Sequence, residues 1–210
     1  MTNWQSRWLA QDTPWDLKGS HPETERLMQL LIGWRIPLMK VLIPGCGRAH
    51  DAAVFLKQGL EVTGVDLSEE AIRTAKDLWK NTRGLELIAS TNEEYALNHK
   101  GLYSLVFDRA MLCALSPEVR PRYVKAVTDV LASGGIFSSI AFHKLHGEFK
   151  GPPFAIQEEA MTRLFTESFT LMGCYRVAAP SPLPVVAEET LWIWKKAQKN
   201  PQMLKKWINL

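Results

Sequence analysis

The chain of 210 residues is long enough to bury one substantial hydrophobic core. Its hydrophobic fraction of 46% and charged fraction of 22% are typical of globular proteins and exclude a disordered one. The net charge of +3 is small, both signs are scattered, and no basic run argues for a nucleic-acid partner.

Other classes of protein are excluded by what the sequence lacks. No segment approaches the roughly 18 uninterrupted apolar residues of a membrane span, and the N-terminus lacks the apolar stretch of a secretory signal. Cys46, Cys113 and Cys174 are far apart and predict neither a disulfide framework nor a zinc site. His143 and His146 lack a third ligand nearby in the sequence, so no metal is expected. We therefore expect a cytoplasmic monomer without membrane or nucleic-acid partners.

The first half of the chain predicts alternating helices and strands. Trp4 and Trp8 are spaced so that one helical turn would place both on the same face. A helix is expected from Pro22 and is stopped by Pro37. The remaining expected elements are strands at 39–43, 60–65 and 85–89, a helix over 50–57, and a helix capped by Ser68.

The second half continues the alternation. Ser116-Pro117-Glu118 has the cap, first-turn proline and early acid of a helix start. The other expected elements are strands at 102–107, 136–142, 169–176 and 189–194, and a helix over 157–165. Short connections between alternating elements predict a doubly wound α/β fold, with a mostly parallel seven-stranded sheet and helices on both faces. No linker or repeat interrupts it, so residues 1–210 are expected to form one domain.

A glycine-rich turn follows the first predicted strand. Gly45-Cys46-Gly47 lets the chain turn tightly and lets the backbone approach a ligand without obstruction by a Cβ atom. Asp66 ends the second strand, where a carboxylate can accept hydrogen bonds from both hydroxyls of a ribose. This combination favours a nucleoside site over a purely structural turn with a solvated aspartate.

The residue three positions after Gly47 bears on which nucleoside binds. A dinucleotide-binding fold has Gly or Ala there, so that the pyrophosphate can lie on the helix N-terminus. This chain has His50 followed by Asp51, which suits an anionic diphosphate poorly. S-adenosylmethionine carries no phosphate, so the pattern favours this methyl donor over NAD, the cofactor of the alternative oxidoreductase hypothesis.

Several segments resemble, in order and spacing, those of the thiopurine S-methyltransferase family and its thiol and halide methyltransferase relatives. The similar segments are Trp4-x-x-x-Trp8, Thr13-Pro14-Trp15-Asp16, residues 41–51, residues 64–68, Phe107-Asp108-Arg109, Pro117-Glu118-x-Arg120-x-x-Tyr123 and residues 151–154. Each segment alone is a weak signal, whereas their common order is specific. The resemblance implies a Rossmann-like class I methyltransferase fold and S-adenosyl-L-methionine as the cofactor.

The resemblance also implies roles for individual residues. Those implied to bind the donor are Trp4, Trp8 and Trp15, on an N-terminal cover formed by residues 1–20, with Gly45, Gly47, Asp66, Leu67 and Glu93. Asp66 would hold the ribose, Leu67 would pack on adenine, and Glu93, or its neighbour Glu94, would face the adenine amino group. Asp108 and Arg109 are the implied catalytic residues, with Arg109 assisting an anionic acceptor unless it is only a structural ion-pair partner.

The sequence departs from the thiopurine enzymes in two places. Residues 178–184 are short and proline-rich where those enzymes carry a longer charged stretch with a further arginine. Trp15-Asp16 stands where they tend to have Phe-His, which points to the thiol or halide branch. The predicted function is transfer of a methyl group to a small soft nucleophile: a thiol, a selenium or tellurium species, or a halide. A catalytically silent S-adenosylmethionine-binding module is the main alternative.

Overall fold

The strands form a single mixed sheet. The structure is a computed structural model and describes residues 2–147, 150–178 and 187–198. Within them, the strands are β1 (Lys40–Pro44), β2 (Glu61–Asp66), β3 (Leu85–Ala89), β4 (Tyr103–Arg109), β5 (Leu131–Leu145), β6 (Phe169–Arg176) and β7 (Ala187–Lys196). They form a seven-stranded sheet of order β3-β2-β1-β4-β5-β7-β6, in which β7 runs antiparallel to both of its neighbours. The predicted doubly wound, mostly parallel sheet is confirmed.

Helices cover both faces of this sheet. They are α1 (Trp4–Leu9), α2 (Pro22–Gly33), α3 (Ala52–Lys57), α4 (Glu69–Trp79), α5 (Asn92–Asn98), α6 (Met111–Ala114), α7 (Arg120–Val130) and α8 (Glu158–Phe165). One core layer packs α2, α3 and α4 against the sheet and includes Leu27, Phe55 and Phe107. The other packs α5, α7 and α8 against the opposite face and includes Tyr123 and aromatic side chains of β5 and β7. None of the helices in the described ranges is long and apolar enough to span a bilayer.

The strand order reverses at β1, which pairs with β2 on one side and with β4 on the other. In an open α/β sheet, ligands bind beyond the carboxyl ends of the strands at such a switch point. Residues that follow β1, β2 and β4 are therefore brought together at one edge of the sheet.

Two boundaries differ from the sequence-based expectation. The predicted helix start at Ser116 is wrong, because Val119 N donates to Ser116 O in a separate turn and α7 begins at Arg120. Pro121 then takes the first-turn position that the prediction gave to Pro117. The fifth strand begins at Leu131, directly after α7, and therefore earlier than predicted.

Candidate active site at the carboxyl ends of β1, β2 and β4

The glycine turn after β1 is held against β2. Gly45 and Gly47 have φ angles of +59° and +54°, a left-handed conformation that glycine adopts without strain. A Cβ at Gly45 would lie 2.6 Å from Met111 Sδ, and a Cβ at Gly47 would lie 3.1 Å from Trp8 Cζ2. Both positions therefore need glycine for their backbone conformation and for the close approach of another residue.

Asp66 lies at the carboxyl end of β2, beside this turn. Its Oδ2 accepts a hydrogen bond from Gly47 N at 2.9 Å, and its Oδ1 accepts one from Ser68 N at 2.9 Å. Burial raises the pKa of the Asp66 carboxyl, although both hydrogen bonds oppose this effect. Each oxygen keeps further acceptor capacity, so the carboxylate can also bind two hydroxyl donors.

The N-terminal segment, here residues 2–20, brings three tryptophans to the glycine turn. Trp15 lies edge-on to Trp4 and Trp8, with ring centroids 5.2 and 6.1 Å apart. Trp8 is buried, and the guanidinium of Arg48 lies 5.0 Å from its ring centroid. The predicted pairing of Trp4 and Trp8 on one helix is confirmed by α1. Contact of these tryptophans with a cofactor stays a prediction.

Polar contacts anchor the N-terminal segment at two points. Gln5 Oε1 accepts hydrogen bonds from Ser68 Oγ at 2.7 Å and from Glu70 N at 3.3 Å. Asp16 accepts a hydrogen bond from Arg48 and lies 3.3 Å from Nε2 of His50. The segment is thus fixed both to the start of α4 and to the glycine turn.

The Asp16 carboxylate is stabilised in its charged form. Burial raises the pKa of Asp16, but the nearby His50, the hydrogen bond from Lys18 N and the charge of Arg48 together hold it well below its ordinary value. The side chain is 6% exposed, so solvent screens these interactions only weakly.

Replacing Asp16 by alanine is expected to speed amide hydrogen exchange in α1 about tenfold. The change removes the bond to Arg48 that fixes the N-terminal segment to the glycine turn, so α1, which lies in this segment, should open more often. Asp12→Ala is the matched control in the same segment. Its ion pair with Arg7 involves a carboxylate that is 57% exposed and contributes little, so α1 should exchange within about twofold of the native rate. Equal rates in the two variants would show that Asp16 does not anchor the segment.

Leu67 lies beside the N-terminal segment, directly after β2. Its side chain is 58% exposed, so its apolar surface is open to a ligand. Together with Trp4, Gln5 and Glu69 it lines an open pocket of about 470 Å³. An apolar side chain in such a pocket can pack against a flat ring.

Glu93 and Glu94 are distinguished by their partners. Glu94 forms a capping box with Thr91, whose Oγ1 donates to Glu94 Oε2 at 2.8 Å and accepts from Glu94 N at 3.1 Å. Glu93 is 43% exposed and lies 3.9 Å from Arg122 Nε. Of the two, Glu93 has the side chain free of the cap, and its contact with adenine stays a prediction.

Asp108 is enclosed at the end of β4. It is fully buried and accepts hydrogen bonds from Tyr123 Oη at 2.6 Å and from Leu112 N at 3.1 Å. Ser139 Oγ adds a weaker contact at 3.4 Å. Burial raises the pKa of Asp108 to about 6, against the effect of these hydrogen bonds. The described contacts tie β4 to α6 and α7, and a catalytic role for Asp108 stays a prediction.

This shift predicts a pH-dependent contribution of Asp108 to stability. The folded-state pKa lies above the ordinary 3.8, so the contribution is present below about pH 4 and is lost as pH rises to about 6. The loss should reach about 3 kcal/mol, at about 1.4 kcal/mol per pKa unit. Urea unfolding of Asp108→Asn should lack this component, whereas Asp77→Asn, on the exposed face of α4, should keep it. If the free energy of unfolding had the same pH dependence in both variants, the component would not come from the Asp108 carboxyl.

Arg109 follows Asp108 and is oriented by two contacts. Its Nε donates to Asp51 Oδ2 at 3.0 Å, and its Nη1 donates to Trp15 O at 3.4 Å. Within the described part of the chain, Nη2 has no hydrogen-bond partner, and the side chain is 15% exposed. The guanidinium therefore joins β4 to the N-terminal segment and keeps donors for a ligand.

The segment after β4 is tied to the loop at 150–154. Arg120, which is buried, donates from Nε to Leu115 O and from Nη2 to Phe154 O, each at 3.1 Å. Phe154 N donates to Cys113 O at 2.7 Å. These bonds place the loop beside α6, whose Met111 lies against Gly45. The loop thus borders the same edge of the sheet.

The two histidines considered for a metal site share a carboxylate in the fold. His146 Nε2 lies 2.9 Å and His143 Nε2 lies 3.4 Å from an oxygen of Glu188. Lys144 Nζ also binds this carboxylate at 2.8 Å. Among the described residues, no group of three or more potential ligands is arranged to hold a metal ion. The proline-rich stretch at 178–184 lies outside the described residues, apart from its first residue.

The comparison with known families supplies the decisive observation. The sequence model of the family Thiopurine S-methyltransferase (TPMT) matches residues 1–197. The chain belongs to the thiopurine S-methyltransferase family. It is accordingly an S-adenosylmethionine-dependent methyltransferase, which confirms the family, the type of enzyme and the cofactor that the sequence predicted.

Individual relatives agree with this family. Thiocyanate methyltransferase 1 of Arabidopsis thaliana is 27% identical over 198 residues, covering 92% of this chain and 84% of the relative. Thiopurine S-methyltransferase of Vibrio cholerae serotype O1 is 29% identical over 183 residues, covering 81% and 80%.

The fold also matches a solved methyltransferase. The structure of Burkholderia thailandensis 1,6-didemethyltoxoflavin-N1-methyltransferase, with 1,6-didemethyltoxoflavin and S-adenosylhomocysteine bound, superposes with a TM-score of 0.73. The two sequences are 21% identical, and the alignment covers 92% of this chain and 85% of that one. The Rossmann-like class I methyltransferase fold is therefore confirmed.

Some residues at this edge were not singled out from sequence. Met111, Gln5 and Asp51 contact the glycine turn, the start of α4 and Arg109, respectively. In the sequence, Asp51 closes the segment 41–51 and disfavours a phosphate ligand, but nothing there indicates a contact with Arg109. None of the three stands in a local pattern that signals such a contact, since their partners are distant in sequence.

Proposed function

We propose that this methyltransferase acts on a small soft nucleophile, bound at the carboxyl end of β4. The candidate acceptors are thiols, selenium or tellurium species, and halide-like anions. The observation that carries the proposal is the Arg109 guanidinium, which is held by Asp51 and Trp15 and retains a free Nη2 within the described residues. A mostly buried cation with donors to spare suits an anionic acceptor.

The residues around the glycine turn fit S-adenosylmethionine. Gly45 and Gly47 present backbone without a Cβ atom at the turn, beside the side chains of Met111 and Trp8, which suits the close approach of the methionine part of the donor. Asp66 supplies a carboxylate for the ribose hydroxyls, and Leu67 supplies an exposed apolar surface for adenine. The N-terminal segment closes this side through its tryptophans.

When bound, S-adenosylmethionine supplies a methyl group on a positively charged sulfur, which a lone pair can attack directly. Arg109 attracts an anionic acceptor and favours the ionised form of a thiol, since a nearby positive charge lowers its pKa. The N-terminal segment excludes water and orients the reactants, so positioning supplies most of the catalysis. The oxygens of Asp108 are engaged by Tyr123 and Leu112, which leaves this carboxylate poorly placed to accept a proton from an acceptor.

The names of the relatives support the same class of acceptor. The relatives reported above are called a thiocyanate methyltransferase and a thiopurine S-methyltransferase, and another relative from Arabidopsis thaliana is called a probable thiol methyltransferase. All three names refer to sulfur-containing acceptors. The substitution of Trp15-Asp16 for Phe-His favours a thiol or an inorganic anion over a thiopurine.

Purified full-length protein tests the proposal. It is incubated with S-adenosylmethionine and thiocyanate, iodide, hydrosulfide, thiophenol, selenite, tellurite or 6-mercaptopurine, and the methylated products are identified by mass spectrometry. Turnover of at least one of the first six, with a kcat/KM above that for 6-mercaptopurine, is the expected result. Tight binding of S-adenosylhomocysteine without turnover of any acceptor would overturn the proposal and favour the silent binding module.

A further inference from the structure

Asp51 connects Arg109 to the start of α2. It occupies the N-cap position of α3 but makes no side-chain hydrogen bond to that helix. Its carboxylate is buried and faces Arg109, accepting from Nε at 3.0 Å on Oδ2. Its Oδ1 accepts from His21 N at 2.8 Å and from Thr24 Oγ1 at 2.7 Å. The carboxylate is therefore used to hold distant segments rather than to cap its own helix.

The structure that holds Asp51 is itself anchored to the sheet. His21 Nδ1 accepts a hydrogen bond from Glu23 N, so the ring proton lies on Nε2 and is donated to Glu189 Oε2 at 3.1 Å. His21 and Glu189 are both buried, the second on β7. The start of α2 is fixed by this pair, and it fixes Oδ1 of Asp51 in turn.

We infer that Asp51 is a positioning residue for methyl transfer, which orients the Arg109 guanidinium toward the acceptor. This inference rests on the proposed function of Arg109. An arginine side chain is long and flexible, and the bond from Nε to a fixed carboxylate limits the directions that its remaining donors can take. Asp51 does not touch the acceptor and acts through Arg109.

Removing the charge of Asp51 has opposite expected effects on the orientation of Arg109 and on its attraction for an anionic acceptor. Its carboxylate partly neutralises Arg109, so Asp51→Asn makes the site more positive and should not weaken the attraction of an anion. Positioning predicts a different effect, because a small displacement of a group that orients a reactant costs up to about a hundredfold in rate. Asp51→Asn is thus expected to lower kcat tenfold or more without raising the KM for thiocyanate.

A double-mutant cycle with Arg109→Met tests whether Asp51 acts through Arg109. In the Arg109→Met background, Asp51→Asn should change kcat less than twofold, whereas independent effects would multiply. Asp77→Asn, on the exposed face of α4, is the matched control and should keep native kinetics. S-adenosylhomocysteine affinity, measured by calorimetry, should stay within about threefold of native in all variants. A native kcat in Asp51→Asn, or multiplying effects in the cycle, would overturn the inference.

Two further measurements keep the test independent of folding and of the acceptor. Thr24→Val removes one donor to the same carboxylate and should lower kcat in the same direction, by a smaller factor. The Arg109 Nε–H signal in ¹H–¹⁵N spectra, assigned by its loss in Arg109→Met, should broaden or shift in Asp51→Asn. An unchanged signal would overturn the inference even if no acceptor were turned over. Absence of turnover by the native enzyme, with the signal responding as expected, would count against the proposed function alone.

Discussion

Replacement of Asp66 by alanine is expected to weaken the binding of S-adenosylhomocysteine about 100-fold. Two ribose hydroxyls that donate to one carboxylate contribute about 1.5 kcal/mol each at the lower end of the range, and about 1.4 kcal/mol corresponds to a factor of ten. Asp66 also holds Gly47 N and Ser68 N, so its loss should loosen the glycine turn as well. Titration calorimetry with S-adenosylhomocysteine measures the effect directly.

Two variants separate ribose binding from damage to the turn. Asp66→Asn keeps one carbonyl oxygen for the backbone donors but loses the charge, so its affinity should lie between those of the native protein and Asp66→Ala. Asp77→Ala, which removes an exposed carboxylate from α4, should bind natively. Native affinity in Asp66→Ala would move the ribose site elsewhere, whereas loss of affinity only together with loss of cooperative unfolding would indicate a structural role.

The central strands and the glycine turn could be predicted because their signals are local. β1 is a short apolar run, as expected for a strand buried on both faces, and β2 is buried along its length after Glu61. Each of them ends at a polar or glycine-containing turn. The left-handed glycines at 45 and 47 and the carboxylate of Asp66 then lie together because parallel neighbours end at the same edge. Fold and candidate donor site both follow from this pattern.

Short helices were the elements that sequence reasoning missed. α5 begins at a capping box, Thr91-x-x-Glu94, and this signature in the sequence predicts a helix start at Thr91. α6 has only four residues and begins after Ala110, which has a φ of +61°. A non-glycine residue in this conformation is uncommon, and no sequence signal indicates it. The position of Met111 against Gly45 depends on this turn and could not be foreseen.

The contacts of Arg109 show why the acceptor side was harder to predict. Asp51 and Trp15 lie 58 and 94 positions away from Arg109 in the chain. No periodicity or motif joins residues so far apart, and only the topology of the sheet brings them together. The resemblance to the family therefore indicated which residues matter at this site, but not which of them hold one another.

Replacement of Arg109 by methionine is expected to lower kcat/KM for thiocyanate by a factor of ten to about 100. The reason is the loss of one charge-assisted hydrogen bond to the acceptor, of about 1.5 to 3 kcal/mol. S-adenosylhomocysteine affinity should change less than about threefold, since Trp15 is the one residue proposed to bind the donor that Arg109 contacts in the described structure, and it does so only through the backbone oxygen. Arg73→Met, which removes an exposed arginine from α4, should leave the kinetics unchanged. An equal loss of donor affinity in Arg109→Met would contradict this role.

The pH profile separates attraction of the acceptor from its ionisation. Thiocyanate carries no proton near neutral pH, so Arg109→Met should lower its rate by the same factor from pH 6 to 9. A thiol with an ordinary pKa of about 8.5 must first ionise, and the Arg109 charge favours that step. Arg109→Met should therefore shift the rise of the thiol methylation rate to higher pH. Arg109→Lys keeps the charge but loses the planar fork, so it should return that rise to its native pH while the rate itself stays below native. A thiol profile that does not move would restrict Arg109 to binding anions that are already formed.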